Sequence, residues 1–301
     1  MAARCQLITD TGCDLPLEFL QEYNVELLHF SYTEEGKPDG GFHGTDDLFS
    51  SISAHDFYDA IRNGATPMTS QPSQGEMEEV FRRVIDSGTP GVYLAFSSGI
   101  SGCYEGAMTV YERLREEYGD DMPLHIVDTR IASSPFAMFI EEAIRHVEKG
   151  FTAEELVAWA EEYRYLAQTI FMVDNLEALH RGGRIPKGVA TMGDKLNVKP
   201  LISFDRDGRL TIVGVARGRK KAIKKMAEYY TKYHDNYICP PIASIGNADS
   251  DHKDIEYLEV LIAKDNGPVR YLETNIGPVC GCHVGAGMMS CCFWGRGPRT
   301  A

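Results

Sequence analysis

Within the first 165 residues, four short apolar runs alternate with stretches of helical period. This alternation restricts the chain more than any other feature. The runs are CQLIT (5–9), VELLHFSY (25–32), GVYLAF (91–96) and LHIVD (124–128); helical patterns cover 16–23, 53–63, 73–87, 102–118 and 134–149. Short continuous apolar runs suit strands buried on both faces. Parallel strands need a long crossover, and helices of this length supply it. KGFTAEEL (149–156) marks a joint, where Gly150 can close one helix and Thr152 with Glu155 has capping-box spacing for the next. After it the strands become TIFMVD (169–174), VKPLISF (198–204), LTIVGVA (210–216), IASIG (242–246) and VRYLET (269–274). The DRDG turn at 205–208 predicts that its two flanking runs form an antiparallel hairpin. The expected fold is two-domain α/β. Residues 1–160 form a mainly parallel sheet with flanking helices, and residues 161–301 a mixed α/β domain with antiparallel strands. The polar, Gly-rich stretch 33–52 predicts a mobile surface loop able to act as a lid.

Charge narrows the function. The net charge of −14 excludes a surface built to neutralise nucleic-acid phosphates. One local exception, ARGRKKAIKK (216–225), carries six positive charges, from Arg217 to Lys225. Such a run is usually a solvated face. No apolar run approaches the roughly 20 residues of a membrane span, and the N-terminal residues lack the pattern of a secretory signal. The expected location is the cytoplasm, with reduced thiols.

Two loops carry hydroxyls to helix starts. In MTSQPSQGE (68–76), Ser73 and Glu76 have capping-box spacing, with Thr69 and Ser70 at the positive end of the helix. In FSSGISGCYEG (96–106), Ser97, Ser98 and Ser101 accompany Gly99 and Gly102. Glycines allow close backbone approach, and helix N-terminal amides favour anions. Two readings remain open: the hydroxyls cap and hold a small anion, or Ser98 or Ser101 is the nucleophile of a hydrolase. The Gly-x-Ser-x-Gly elbow is absent, because Ile100 occupies the central position of SGISG. Asp10 and Asp14 follow the first run, as metal ligands or as turn and cap residues, with Asp14 placed to cap the helix after Pro16. LEALHRGGRIPKG (176–188) ends a helix at a glycine pair bracketed by Arg181 and Arg184, whose guanidiniums suit terminal carbonyls or a phosphate. In IGPVCGCHVGAGMM (276–289), the cysteines and His283 lack zinc-site spacing, and no metal is expected.

Taken in order, ITDTGCDLP, TSQPSQGE, SSGISGCYEGA, LEALHRGGRI, VKPLISFDRDGRL, VARGRKKA and IGPVCGCHVGAG span nearly the whole chain, and as a set the sequence resembles the DegV family. The resemblance implies a fatty-acid-binding protein that presents its acyl chain to a separate ATP-using kinase, which makes the acyl phosphate. The binding subunit would itself be no enzyme and hold no cofactor. The lipid would lie between the two domains in an apolar tunnel. Its carboxylate would sit between Thr69 and the Ser101–Gly102 turn beside His283, while Arg181, Arg184, Arg217 and His283 would serve phosphoryl transfer or the kinase. Contact with a membrane surface would be transient.

Overall fold

The computed structural model describes residues 4–34, 36–37, 41–185, 197–235 and 241–299. In chain order the elements are β1 (Gln6–Asp10), α1 (Leu17–Glu22), β2 (Glu26–Leu28), β3 (Ser31–Thr33), β4 (Gly44–Thr45), α2 (Ala54–Arg62), β5 (Met68–Ser70), α3 (Gln74–Asp86), β6 (Gly91–Ala95), α4 (Cys103–Tyr118), β7 (Leu124–Asp128), α5 (Ser134–Glu148) and α6 (Ala153–Tyr163). There follow β8 (Ala167–Met172), α7 (Glu177–Arg181), β9 (Val198–Phe204), β10 (Leu210–Arg217), α8 (Arg219–Tyr233), β11 (Ile242–Asn247), α9 (His252–Asn266), β12 (Arg270–Asn275), α10 (Pro278–Val284) and β13 (Met289–Trp294).

The first sheet has strand order β2-β1-β6-β7 and is parallel throughout. All of β6, and β1 beyond Gln6, are buried, as a sheet covered on both faces requires. The second sheet, β10-β9-β8-β13-β11-β12, is antiparallel except for the β11–β12 pair. The predicted hairpin joins β9 and β10, and Gly208 takes the left-handed φ of 73° that its turn needs. Helix α5 contacts β1 of the first sheet and β8, β11 and β13 of the second. Ten of its 15 residues are buried, because neither of these sides faces water. Thr152 and Glu155 form the full capping box of α6. Among the described residues, no helix is long and apolar enough to cross a membrane.

Two expectations fail here. The run 25–32 is not one strand: β2 pairs with β1, whereas β3 joins the small antiparallel sheet β4-β3-β5. The cause is local, since the amides between them donate to side chains, His29 N to Glu76 Oε1 (2.9 Å) and Phe30 N to Thr11 Oγ1 (3.1 Å). In its described residues the stretch 33–52 is not a free lid either. It contains β4 and the buried Asp46, and its Phe42 and Phe49 rings lie 5.5 and 5.9 Å from Phe57. Its glycines and charges hide an aromatic anchor.

Candidate functional site

Thr69 stands in the middle of β5, in register with Tyr32 of β3. Two residues on, Gln71 lies across the start of α4. A Cβ at Gly102 would meet Gln71 Oε1 at 2.7 Å, and one at Gly106 would meet Nε2 at 2.6 Å. These glycines, one helical turn apart, let the two hydroxyl-rich loops adjoin. Ser73 caps α3 by accepting from Glu76 N at 3.1 Å, but the Glu76 carboxylate turns to His29 and the reciprocal half of the box is missing. Ser101 Oγ accepts from Cys103 N at 3.2 Å. Its own O–H has no acceptor among the described residues.

His283 is carried by α10, a helix that the glycine-rich sequence concealed. Pro278 near its start was the available signal, since proline fits the first helical turn. The ring is buried, with Nε2 2.8 Å from Thr69 Oγ1. Gly182 makes room for it, because a Cβ there would come within 2.2 Å of Nδ1, while Gly183 takes the left-handed φ of 73° after α7. Burial, followed by the positive charges of Arg184 and Arg181, pushes the His283 pKa down to about 3. The imidazole is therefore neutral, a weak base suited to one hydrogen bond donated and one accepted.

These groups meet at a cavity of about 60 Å3 lined by Thr69, Ser101, Arg184 and His283 among others. Its apolar wall includes Phe30, Phe96, Phe171, Phe204, Leu210 and Met288. Arg184 Nε donates to Ile100 O at 3.0 Å, and another guanidinium N–H donates to Gly182 O. Among the described residues it forms no ion pair, and burial lowers its pKa. Ser101 and Arg184 also line an adjoining, more polar opening of about 780 Å3, together with Ser98, Gly102 and Arg209. Arg181, exposed at the end of α7, and Arg217, exposed at the end of β10, line neither cavity. In the basic run, Arg219 is tied to Asp254 and Asp174, while Lys220 and Lys221 are exposed.

Among the described residues no serine hydroxyl pairs with a histidine. Ser98 Oγ donates to Asp128 Oδ2, and His283 bonds Thr69. Asp14 does not cap α1, whose N-cap Pro16 has no side-chain bond; it accepts instead from Gly277 N at 2.9 Å and from Ser133 Oγ. Ser133 adopts φ 63° and ψ −139°, unusual for a residue with a side chain, and is held there by Asp14 and by its N–H donating to Gly12 O at 2.8 Å. Cys291 packs under α8, while Cys292 faces the other way, 3.1 Å from Thr169 Oγ1.

Comparison with known proteins places this architecture. The family model "Uncharacterised protein, DegV family" matches residues 4–296. A DegV domain-containing protein of Clostridium perfringens is 31% identical over 295 residues, covering 96% of this chain and 97% of its own. The DegV domain-containing protein YteA of Lactococcus lactis is 36% identical over 225 residues, 74% of this chain and 75% of its own. Among solved structures, a fatty-acid-binding DegV family protein of Thermus thermophilus superposes with a TM-score of 0.82 at 26% identity, covering 97% of this chain and 99% of its own. The fatty acid kinase B3 protein of Streptococcus pneumoniae, loaded with linoleic acid, shares the fold with a TM-score of 0.81 at 16% identity, covering 96% and 99%.

Proposed function

This chain belongs to the DegV family, and on that premise we propose that it binds a long-chain fatty acid and presents it to a separate ATP-dependent kinase. The observation that carries the reading is Arg184. It is a half-buried cation without a carboxylate partner among the described residues, beside the neutral Thr69–His283 pair, on the wall of a largely apolar cavity. A cation so placed suits the charge that builds at an anionic head group, and the apolar wall suits the chain attached to it. Each methylene removed from water contributes about 0.8 kcal/mol, so a long chain supplies the affinity and the carboxylate the orientation.

In this reading Thr69 and Ser101 donate to the carboxylate, the Ser101–Gly102 turn approaches it closely, and His283 orients the Thr69 hydroxyl. Arg184, open to both cavities, stabilises the charge that builds during phosphoryl transfer. Arg181, Arg217 and the exposed lysines of α8 face an acidic or nucleotide-bearing partner. In this reading the chain is a binding subunit, not a hydrolase: among the described residues Ser98 bonds Asp128 and His283 bonds Thr69. It works in the cytoplasm, where ATP and the kinase are at hand. Denaturing extraction of the purified protein, followed by lipid mass spectrometry, should release stoichiometric long-chain fatty acid. A lipid-free extract together with no uptake of added fatty acid would overturn the proposal.

A further inference from the structure

The same cavity carries a second polar station that shares no hydrogen bond with the Thr69–His283–Arg184 group among the described residues. Ser134, the first residue of α5, and Ser290 of β13 both line the cavity and are buried. Their hydroxyl oxygens lie 2.9 Å apart, and Thr274 Oγ1 lies 3.5 Å from Ser134 Oγ. Gly246 N donates to Ser290 Oγ at 3.1 Å. The cluster is built rather than incidental: a Cβ at Gly246 would come within 1.8 Å of Ser134 Oγ and 2.7 Å of Ser290 Oγ, so glycine is required beneath it.

Hydrogen counting exposes an imbalance. Ser134, Ser290 and Thr274 bring three hydroxyl hydrogens, and the two oxygen–oxygen contacts use two of them. The Gly246 amide adds a donor, not an acceptor. One O–H is therefore left with no oxygen acceptor among the described residues. What remains for it is the Cys292 sulfur, which Ser290 reaches and which also faces Thr169 at 3.1 Å, a weak acceptor. A buried donor without a good acceptor is costly to maintain, most of all in an otherwise apolar wall. Among the described residues no charged side chain bonds these hydroxyls, so the acceptor they suit is a neutral oxygen.

We infer that this chain selects long-chain fatty acids bearing a hydroxyl or oxo group on the acyl chain, with Ser134 and Ser290 as the subsite for that oxygen. The inference rests on the fatty-acid reading above and adds its substrate class. An oxygen at the matching carbon accepts the spare hydrogen, and an oxygen elsewhere along the chain loses its water without compensation. Selectivity is therefore positional.

The test uses the full chain, delipidated, with isotopically labelled stearic acid as the reference ligand. Hydroxystearic acids with the hydroxyl at successive positions compete for it. The expected result is one isomer, or two adjacent ones, binding about fivefold tighter than the others, the scale of one neutral hydrogen bond. Ser134→Ala and Ser290→Ala should each erase that ranking while leaving stearate affinity equal or higher. A native protein that binds stearate but ranks the isomers without a positional maximum overturns the inference and leaves the fatty-acid reading standing. So does a maximum that survives both substitutions. Failure to bind stearate at all removes the underlying reading and the inference with it.

Discussion

Helix α10 joins two buried polar clusters of opposite character. At its start, Gly277 N donates to Asp14 Oδ1 and Val279 N to Asp46 Oδ2, at 2.9 and 2.8 Å. Behind them Asp10 accepts from Gly12 N, Phe96 N and the Tyr93 hydroxyl. These carboxylates are deeply buried and well supplied with donors. At the other end of α10, among the described residues, His283 shares a cavity with Ser101, whose O–H lacks an acceptor, and with Arg184, whose guanidinium reaches only carbonyls. The contrast separates architecture from function. Satisfied buried polar groups fix where a helix lies; unsatisfied ones around a cavity mark where a ligand completes the structure.

The largest effect should come from breaking the satisfied end. Asp46→Ala leaves the buried Val279 amide and the partly buried Leu48 amide without their acceptor, which should cost about 3 kcal/mol. Urea unfolding reads this directly; a loss below about 1 kcal/mol would show that the aspartate end is not what holds α10. At the unsatisfied end, His283→Ala and Arg184→Ala should instead preserve folding and most lipid uptake. With kinase and ATP, each loaded variant should make acyl phosphate about a hundredfold more slowly, the usual cost of a lost transition-state donor. Normal turnover in both would remove their assignment. Smaller again, Thr69→Ala and Ser101→Ala should each weaken fatty-acid binding by roughly 1.5–3 kcal/mol, the range for hydrogen bonds to a charged group, measurable by titration calorimetry. Undiminished affinity in both would place the carboxylate elsewhere.

The same contrast explains what could be read from the sequence. The parallel sheet and the β9–β10 hairpin were legible because apolar runs and turn residues are local signals. Thr69, Ser101, Arg184 and His283 were legible as candidates because hydroxyls, glycines and cations stand out in loops. Their convergence came from the family resemblance and not from local pattern, since the Thr69–His283 bond spans 214 positions. Gly182 looked like a helix stop and also serves as the cradle of an imidazole. The inward end of the site was hidden for a different reason. Ser134, Thr169 and Ser290 lie in or beside apolar runs, where a hydroxyl on a buried strand or helix start looks like core. Asp46 was masked by the glycines and charges around it. Arg181 and Arg217, which the resemblance assigned to the phosphoryl or kinase side, are exposed and line neither cavity.

The smallest effect comes from pH, and here the two ends of α10 oppose each other in sign. Burial raises Asp10 and Asp46 to about 7 and Asp14 well above the usual carboxylate range, despite the donors around them. Their unfolded values lie near 3.9. The folded chain therefore holds protons that the unfolded chain has released, and the stability this confers is full below about pH 4 and, for Asp10 and Asp46, lost as pH rises through about 7. His29, raised by its hydrogen bond to Glu76, acts in the same direction. His283 acts against them. Held near 3 when folded and near 6.5 when unfolded, it stays neutral while the unfolded ring takes a proton, so its contribution is lost as pH falls from about 6.5 to 3. Between pH 8 and 6.5 the aspartates and His29 act almost alone, and the unfolding midpoint should rise on acidification. Below 6.5 His283 offsets part of that gain, by at most about 1.4 kcal/mol per pH unit. Chemical denaturation of the native chain and His283→Ala across pH 5 to 8 isolates the term. The two should run parallel above pH 6.5, and the variant should gain stability more steeply below it. Parallel curves down to pH 5 would mean that the imidazole is solvated and titrates normally, and that the Thr69–His283 pair is not the closed, neutral arrangement on which the binding site depends.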